Sequence, residues 1–395
     1  MWIEREITSN LGRIAAEFPV VVVVGARQVG KTALLERAFT DRAYVTLDVG
    51  AHAEMAETRP AEFLRAHPPP VVVDEVQYAP AFFRHVKTAI DARRGENGLF
   101  ILSGSQTFQL MEAVGDSLAG RAAVIPLLGL SGGEWQAAQP PDPDWRDFLW
   151  RGSYPGLWSR PEAPVDRDRW YQGYLASYLE RDVRALLNVG SLRDFERFLR
   201  ACAARTGQLL NMSGLGRDVG VSASTARNWI SVLQASGVIT LLEPYHRSLG
   251  KRLVKSPKLY LNDTGLAAFL MGFRTADALW QSPAAGALWE TYVVGQWVRW
   301  RDWRHPAASL WFWQDRSANE VDLLIDVDGK LWPIECKLKE KPDRRDVRGV
   351  NRLRAMYGRD AIGTAYIACT TRQAYEVEAD VMAVPGWTSR EIGES

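Results

Sequence analysis

Five short apolar runs punctuate the first 130 residues: VVVVV at 20–24, YVTLDV at 44–49, PVVVDEV at 70–76, LFILSGS at 99–105 and AAVIPLL at 122–128. Charged, periodic segments long enough for crossover helices separate each run from the next. An apolar run without alternation marks a strand covered on both faces, and strands that alternate with helices build a parallel sheet. The pattern therefore predicts an α/β domain over residues 1–130. The Pro-rich passage QPPDPDW at 139–145 then breaks regular structure and marks a boundary or surface loop.

From about 146 to 275 the chain reads mostly helical. Its most informative stretch is LGRDVGVSASTARNWISVLQASGVITLLEPY at 215–245. A short helix ends at Gly220, and Ser222 or Ser224 offers the N-cap of a second helix running to about Ala235. Ala226, Ile230 and Leu233 fall on one face of that helix, leaving Thr225, Arg227, Asn228 and Gln234 outward. Helix, glycine turn, helix and hairpin is the outline of a winged helix-turn-helix.

Beyond 276 the pattern returns to mixed α and β. A helix is expected over roughly Ala285 to Trp300, then strands at SLWFW, EVDLLIDV and KLWPIECK, a helix near 343–357 and a strand at TAYIACT. Asp328-Gly329 between two alternating strands predicts a hairpin. The predicted domains are thus 1–130, a helical lid or linker at 131–200, a winged helix-turn-helix at 201–275 and a further α/β domain at 276–395.

Composition narrows the classes. A chain of 395 residues is long enough for two to three domains of about 150 residues. With 47% hydrophobic and 24% charged residues, disorder and collagen-like structure are excluded. Lys plus Arg number 48 against 47 Asp plus Glu, so no global basic field draws nucleic acid, and any such binding must come from local patches. The longest aliphatic run, Val20 to Val24, is far short of the ~20 residues of a membrane span. No membrane partner is expected, and MWIEREITSN lacks the apolar stretch of a secretion signal. Three scattered cysteines, Cys202, Cys336 and Cys369, form neither a disulfide framework nor a CxxC zinc site, which predicts a reducing cytoplasm. The sixteen tryptophans sit among apolar residues and read as packing.

Residues 25–32 read GARQVGKT, a complete GxxxxGKT pattern between a buried strand and a helix with an apolar face. Glycines in that setting let backbone N–H groups wrap a polyphosphate at a helix N-terminus; the alternative is an ordinary Gly-rich turn. The predicted ATP cradle is Gly25, Ala26, Arg27, Gln28, Val29, Gly30, Lys31, Thr32 and Ala33. Lys31 is expected on the β- and γ-phosphates and the Thr32 hydroxyl on Mg²⁺.

VVVDEV resembles a Walker B element, with Asp74 expected to position Mg²⁺ and Glu75 to orient or deprotonate the attacking water, unless the acids merely solvate a strand end. Small polar residues after the next strand, Ser103, Ser105 or Gln106, are candidates to sense the γ-phosphate. Arg121 is a candidate finger acting across a subunit interface, where such arginines contribute about 10³–10⁵ in rate; a surface arginine before a strand is the alternative.

GARQVGKT, VVVDEV, LSGSQ and SLAGR together resemble the AAA+ domain of a widespread prokaryotic ATPase family whose C-terminal part was long catalogued as a domain of unknown function. TGQLLN at 206–211, KRLVKSPKLYLNDTGLAA at 251–268 and ETYV at 290–293 resemble that C-terminal part, so the likeness spans nearly the whole chain. It implies an ATP-binding core, a winged-helix domain and a restriction-endonuclease-like C-terminal fold. By architecture, replication initiators and branch-migration motors are the nearest functional relatives, which implies a ring-forming homo-oligomer such as a hexamer. The sensor position departs from the family of motors, carrying Ser/Gln where Asn or Thr is usual.

The C-terminal segment suggests a second site. EVDLLIDVDGKLWPIECK places Asp322 on one strand and Glu335 and Lys337, two apart and so on one face, on the next. The pattern resembles the D…ExK signature of the PD-(D/E)XK nucleases, in which acids hold Mg²⁺ and the lysine activates water. Glu290 on the preceding helix is a further candidate metal ligand, with Asp322 and Glu335. Exposed strands alternating acids and lysines are common, and the scaffold can also serve only to bind DNA or hold subunits.

Five basic residues and no acid lie between Arg247 and Lys258: Arg247, Lys251, Arg252, Lys255 and Lys258. Basic side chains of this kind supply phosphate contacts, and Thr225, Arg227 and Asn228 would face the groove of DNA. Winged helices also bind proteins. The sequence thus predicts an ATP-hydrolysing, DNA-binding oligomer acting on duplex or branched DNA, with Mg²⁺-dependent nuclease activity as an addition. The alternative is an ATP-dependent regulatory or defence switch whose C-terminal half only binds.

Overall fold

The computed structural model describes residues 2–104, 107–139, 143–160, 162–179, 183, 192–246 and 256–387. The chain separates into two compact units, Met1–Gly129 with Ala235–Gly237, and Leu130–Gln234 with Val238–Ser395.

The first unit is built on the five predicted strands: β1 (Val20–Val24), β2 (Ala43–Thr46), β3 (Val71–Asp74), β4 (Phe100–Gly104) and β5 (Ala122–Pro126). All pair in parallel, in the order β2-β3-β4-β1-β5. Every residue of β1 is buried, as an uninterrupted valine run requires when helices cover both faces. Helix α1 (Thr8–Glu17) leads into β1, and α2 (Lys31–Ala38), α3 (Gly50–Thr58), α4 (Pro60–Ala66), α5 (Phe82–Ala92) and α6 (Thr107–Leu118) connect the strands. The apolar face of α5, with Phe82, Phe83, Val86 and Ile90, packs into one core with Val71, Val73, Phe100 and Leu102. Burying a side chain of that size contributes about 1.5–3 kcal/mol, so this core fixes the strand order that carries the loops.

The second unit opens with α7 (Gly132–Ala137), α8 (Trp145–Arg151), α9 (Arg167–Tyr178) and α10 (Leu192–Ala203). The predicted helix-turn-helix follows as α11 (Met212–Val219), a left-handed Gly220 at φ 82°, and α12 (Ala223–Ala235). Ser222 Oγ accepts the Thr225 amide at 3.1 Å and so caps α12. Ala226, Ile230 and Leu233 are buried, joined by Trp229, whose ring meets those of Phe195 and Phe198 edge-on. A small antiparallel sheet of order β6-β8-β7 accompanies these helices, from β6 (Gln208–Leu209), β7 (Ile239–Leu242) and β8 (Lys258–Leu261).

After α13 (Thr264–Leu270), α14 (Ala276–Trp280) and the long α15 (Ala284–Arg304), the chain forms a mixed sheet of order β13-β14-β12-β11-β10-β9. Its strands are β9 (Ser309–Gln314), β10 (Glu320–Val327), β11 (Lys330–Cys336), β12 (Ala365–Cys369), β13 (Tyr375–Glu378) and β14 (Val381–Pro385), with α16 (Arg348–Tyr357) against one face. Asp328 and Gly329 both have positive φ, 52° and 81°, and form the expected hairpin turn. The last two strands, over 375–385, have no counterpart in the sequence prediction: β13 is short and its register shifts at Glu376/Glu378, which blurs the alternation.

Asp263 fastens the helices of this unit to the small sheet. Its buried carboxylate caps α13 through the Leu266 amide at 2.6 Å and accepts from the Ser153 amide at 2.6 Å, the Ser153 hydroxyl at 2.7 Å and Tyr171 at 2.7 Å. Cys202 and Cys369 are buried and Cys336 is half-buried, all three as free thiols. Among the described residues no helix is long and apolar enough to cross a membrane.

Candidate functional site

The GxxxxGKT loop leaves the C-terminal end of β1 and enters α2, whose N-cap, Gly30, sits at φ 93°. Close approach dictates Gly25: a Cβ there would lie 2.2 Å from the Leu127 carbonyl oxygen. Arg5, buried on the segment before α1, donates to the carbonyls of Val29 and Leu128, each at 2.8 Å, and so ties the loop down from beneath. The buried Lys31 ammonium donates back to the carbonyls of Gly25 (3.1 Å) and Ala26 (3.0 Å), arching over the loop it follows.

The acid pair reaches the same place. The Thr32 hydroxyl donates to Asp74 Oδ2 at 2.7 Å, although 42 residues and the intervening β4 separate them. Asp74 is buried and also accepts the Tyr44 hydroxyl on Oδ2 (2.6 Å), and the Ser103 hydroxyl and Glu75 amide on Oδ1. Burial, then the bond to Asp74, pushes the Tyr44 phenol well above its ordinary range. Glu75 leaves the strand at a left-handed φ of 59°, and its carboxylate accepts from Gln77 Nε2.

Of the three sensor candidates, Ser103 therefore binds Asp74, while Ser105 and Gln106 lie outside the described residues. Arg121, half-exposed, pairs with Asp91 at 3.2 Å. It precedes β5, whose far end Pro126 is level with Val24; its backbone thus stands about 15 Å from its own loop, at the opposite end of the parallel strands. Tyr44, Arg5 and Gln77 are site residues that the sequence does not single out. A tyrosine in an apolar strand and an arginine near the N-terminus carry no local signal of either contact.

In the second unit, Asp322, Glu335, Lys337 and Glu290 come together. The β10–β11 register pairs Leu323 with Ile334, and one step further sets Asp322 opposite Glu335. Lys337 Nζ lies 2.9 Å from Glu335 Oε2 and 3.6 Å from Asp322 Oδ2, which also accepts the Cys336 amide at 2.8 Å. The β9–β10 pairing is irregular between Val321 and Leu324, so the strand kinks where Asp322 sits. Gly349 lets α16 close on the cluster: a Cβ there would be 1.8 Å from the Glu320 carbonyl oxygen and 2.6 Å from Glu335 Oε1.

Lys258 is the correction. Expected among the solvent-facing basic residues, it is buried in this cluster, 2.8 Å from Glu290 Oε1, bonded to Glu320 Oε1 and 3.8 Å from Asp322 Oδ1. The apolar β8 that carries it faces α15, which leaves its ammonium no route to a DNA backbone. Tyr260, two residues on and so on the same strand face, donates to the same Glu290 oxygen at 2.6 Å. Burial and the nearby Asp322 raise the Glu290 carboxyl to about 7 against the opposing pull of Lys258. Burial and Asp322 likewise raise Glu335 well above the carboxylate range. Burial would raise Asp322 too, but Lys337 and Lys258 outweigh it and hold that carboxyl low.

Of the remaining predicted DNA contacts, Arg227 and Asn228 are exposed on α12 and Thr225 is half-buried beside Ser222. Arg247, Lys251, Arg252 and Lys255 lie outside the described residues.

A five-stranded parallel sheet in this order, with a GxxxxGKT loop after β1 and Asp74 hydrogen-bonded to Thr32 of that loop, defines an AAA-type P-loop ATPase, a nucleotide-binding enzyme. The family model described as AAA domain matches residues 17–136, and two described as domains of unknown function, DUF8612 and DUF4143, match 142–277 and 285–388. Over 342 residues the chain is 30% identical to the uncharacterized proteins Mb2031c of Mycobacterium bovis and Rv2008c of Mycobacterium tuberculosis, covering 86% of its own length and 74% of theirs. The chain belongs to the same family as these mycobacterial proteins, and an AAA domain makes up its N-terminal part. Similar solved structures include the Walker-type ATPase paby2304 of Pyrococcus abyssi (TM-score 0.43, 15% identity, 68% of this chain and 96% of that one). A single-residue variant of RuvB from Thermotoga maritima is another (TM-score 0.31, 15% identity, 60% and 89%).

Proposed function

We propose that the protein hydrolyses ATP as a homo-oligomer and couples that hydrolysis to duplex or branched DNA. The observation that carries the ATP half is the Thr32–Asp74 hydrogen bond, which joins the two phosphate-site motifs into one polar centre. Lys31 would exchange its two loop carbonyls for the β- and γ-phosphate oxygens of ATP, so that the loop opens as the nucleotide enters. An all-oxygen pair of a hydroxyl and a carboxylate suits a hard cation, and Thr32 and Asp74 would hold Mg²⁺. When bound, that ion would neutralise charge building on the transferred phosphoryl group.

Glu75 would orient the attacking water once Gln77 releases its carboxylate, and Ser103 would report on the site only through Asp74. Arg121 lies too far from its own loop to serve it, which supports a role as a finger in a neighbouring subunit and hence an oligomer. Support for DNA comes from α12, a capped second helix of a helix-turn-helix presenting Arg227 and Asn228 to solvent. In this reading residues 131–200 form a lid or linker, 201–275 a winged helix and 276–395 a nuclease-like domain. Lys258 inside the carboxylate cluster favours a nuclease-like domain that binds or braces, so cleavage is not part of the proposal.

Gel shift across a salt series, paired with ATP turnover with and without forked DNA, tests the reading. Binding that weakens steeply with salt and turnover that rises with DNA are expected. Absence of both in the wild type would overturn it.

A further inference from the structure

A D…ExK site works when its carboxylates converge on an open cation position. Here Glu290, Glu320 and Asp322 do converge, each offering an oxygen within 4.8 Å of the others. The position between them is taken by an ammonium. Lys258 Nζ is 2.8 Å from Glu290 Oε1, bonded to Glu320 Oε1 and 3.8 Å from Asp322 Oδ1, on a side chain that is 4% exposed. Three further carboxylate oxygens are committed as well. Asp322 Oδ2 faces Lys337 and the Cys336 amide, Glu335 Oε2 accepts from Lys337, and Glu320 Oε2 accepts from Gln314 Nε2 at 2.8 Å.

We propose that Lys258 is the resident cation of this cluster: its ammonium stands where a divalent ion would be ligated and closes the site to metal. Mg²⁺ needs carboxylate oxygens at about 2.0–2.1 Å in near-octahedral array. An ion placed among these three carboxylates would lie within a few ångströms of Nζ, and the two cations would repel strongly at this depth. The residues present therefore do not fit Mg²⁺ while Lys258 is in place. The same ammonium ties the small sheet, through β8, to α15 and β10, so one side chain fills the site and joins three elements. Attraction among four carboxylates and two lysines depends strictly on geometry at this depth, and removing one partner strands the others.

Mn²⁺ is the probe, its free concentration followed by electron paramagnetic resonance in a titration of the full chain without nucleotide. Binding near the phosphate loop is common to all variants and cancels in comparison with Asp322→Asn. Wild type and Asp322→Asn are expected to bind Mn²⁺ equally, whereas Lys258→Met gains one equivalent that Lys258→Met/Asp322→Asn loses. An Asp322-dependent Mn²⁺ equivalent in the wild type overturns the assignment, and so does a folded Lys258→Met protein that takes up no additional ion. Should Lys258→Met fail to fold by circular dichroism, Lys258→Gln replaces it, and the wild-type comparison still decides.

Discussion

The phenol of Tyr44 donates to the oxygen of Asp74, Oδ2, that also accepts the Thr32 hydroxyl, at 2.6 and 2.7 Å. Tyr44 thus holds the acid that the phosphate loop needs, beside the Thr32 hydroxyl. Tyr44→Phe keeps the ring in place and removes one hydrogen bond to a charged group, worth about 1.5 kcal/mol. Acting through Asp74, it is expected to lower kcat for ATP about tenfold while leaving KM nearly unchanged. Steady-state ATPase kinetics check this; a KM effect with intact kcat would place Tyr44 on the nucleotide instead.

Arg5 braces the same loop from the other side, through the Val29 and Leu128 carbonyls. Arg5→Met retains the buried stem and removes the donor of the Val29, Leu128 and Gly129 carbonyls, an expected loss of about 2–3 kcal/mol in unfolding free energy. Urea denaturation followed by fluorescence measures it. Nucleotide affinity should fall in the same variant, since the loop is less well held.

Because Arg121 and Lys31 lie at opposite ends of two adjacent parallel strands, they would act on one nucleotide only across two subunits. Lys31→Ala and Arg121→Ala are each expected to abolish most ATP turnover. Mixing the two variants should recover part of it, since an interface pairing the Arg121→Ala chain's loop with the Lys31→Ala chain's finger is intact. No recovery at any mixing ratio would return Arg121 to its partner Asp91 as an ordinary surface pair.

Asp315 accepts the amides of Ser317 (2.8 Å) and Asn319 (3.0 Å), the Asn319 side chain (2.9 Å) and Arg352 Nε (3.0 Å). Burial pushes its carboxyl up, but these donors outweigh it and bring it down to about 2. A carboxyl lower when folded than its ordinary ~3.9 contributes stability that is full above that value and fades as pH falls through about 2. Asp315→Asn should therefore cost up to about 2 kcal/mol at pH 7, with the gap from wild type narrowing below pH 4. Urea unfolding at pH 7, 4 and 3 follows it.

Much of this was local enough to read from the chain. The three fully buried strands, β1, β3 and β4, announce themselves as apolar runs, and the phosphate loop and acid pair are each contiguous in sequence. Glu335 and Lys337 share a face because strand side chains alternate. The sequence by itself determined these elements, since each depends on neighbours a few residues away.

Which elements touch was decided only by tertiary structure. Strand order brings Thr32, Tyr44 and Ser103, from three separate segments, onto Asp74. TGQLLN, KSPKLYLNDTG and ETYV, scattered over nearly ninety positions, meet where Thr206 bonds Thr291 at 2.7 Å and Lys258 bonds Glu290. Lys258 shows the reason most plainly. A lysine between Pro257 and an apolar strand reads as a surface charge, because sequence records its hydration preference and not its partners. Only the packing of β8 against α15 and β10 supplies carboxylates strong enough to keep that charge inside.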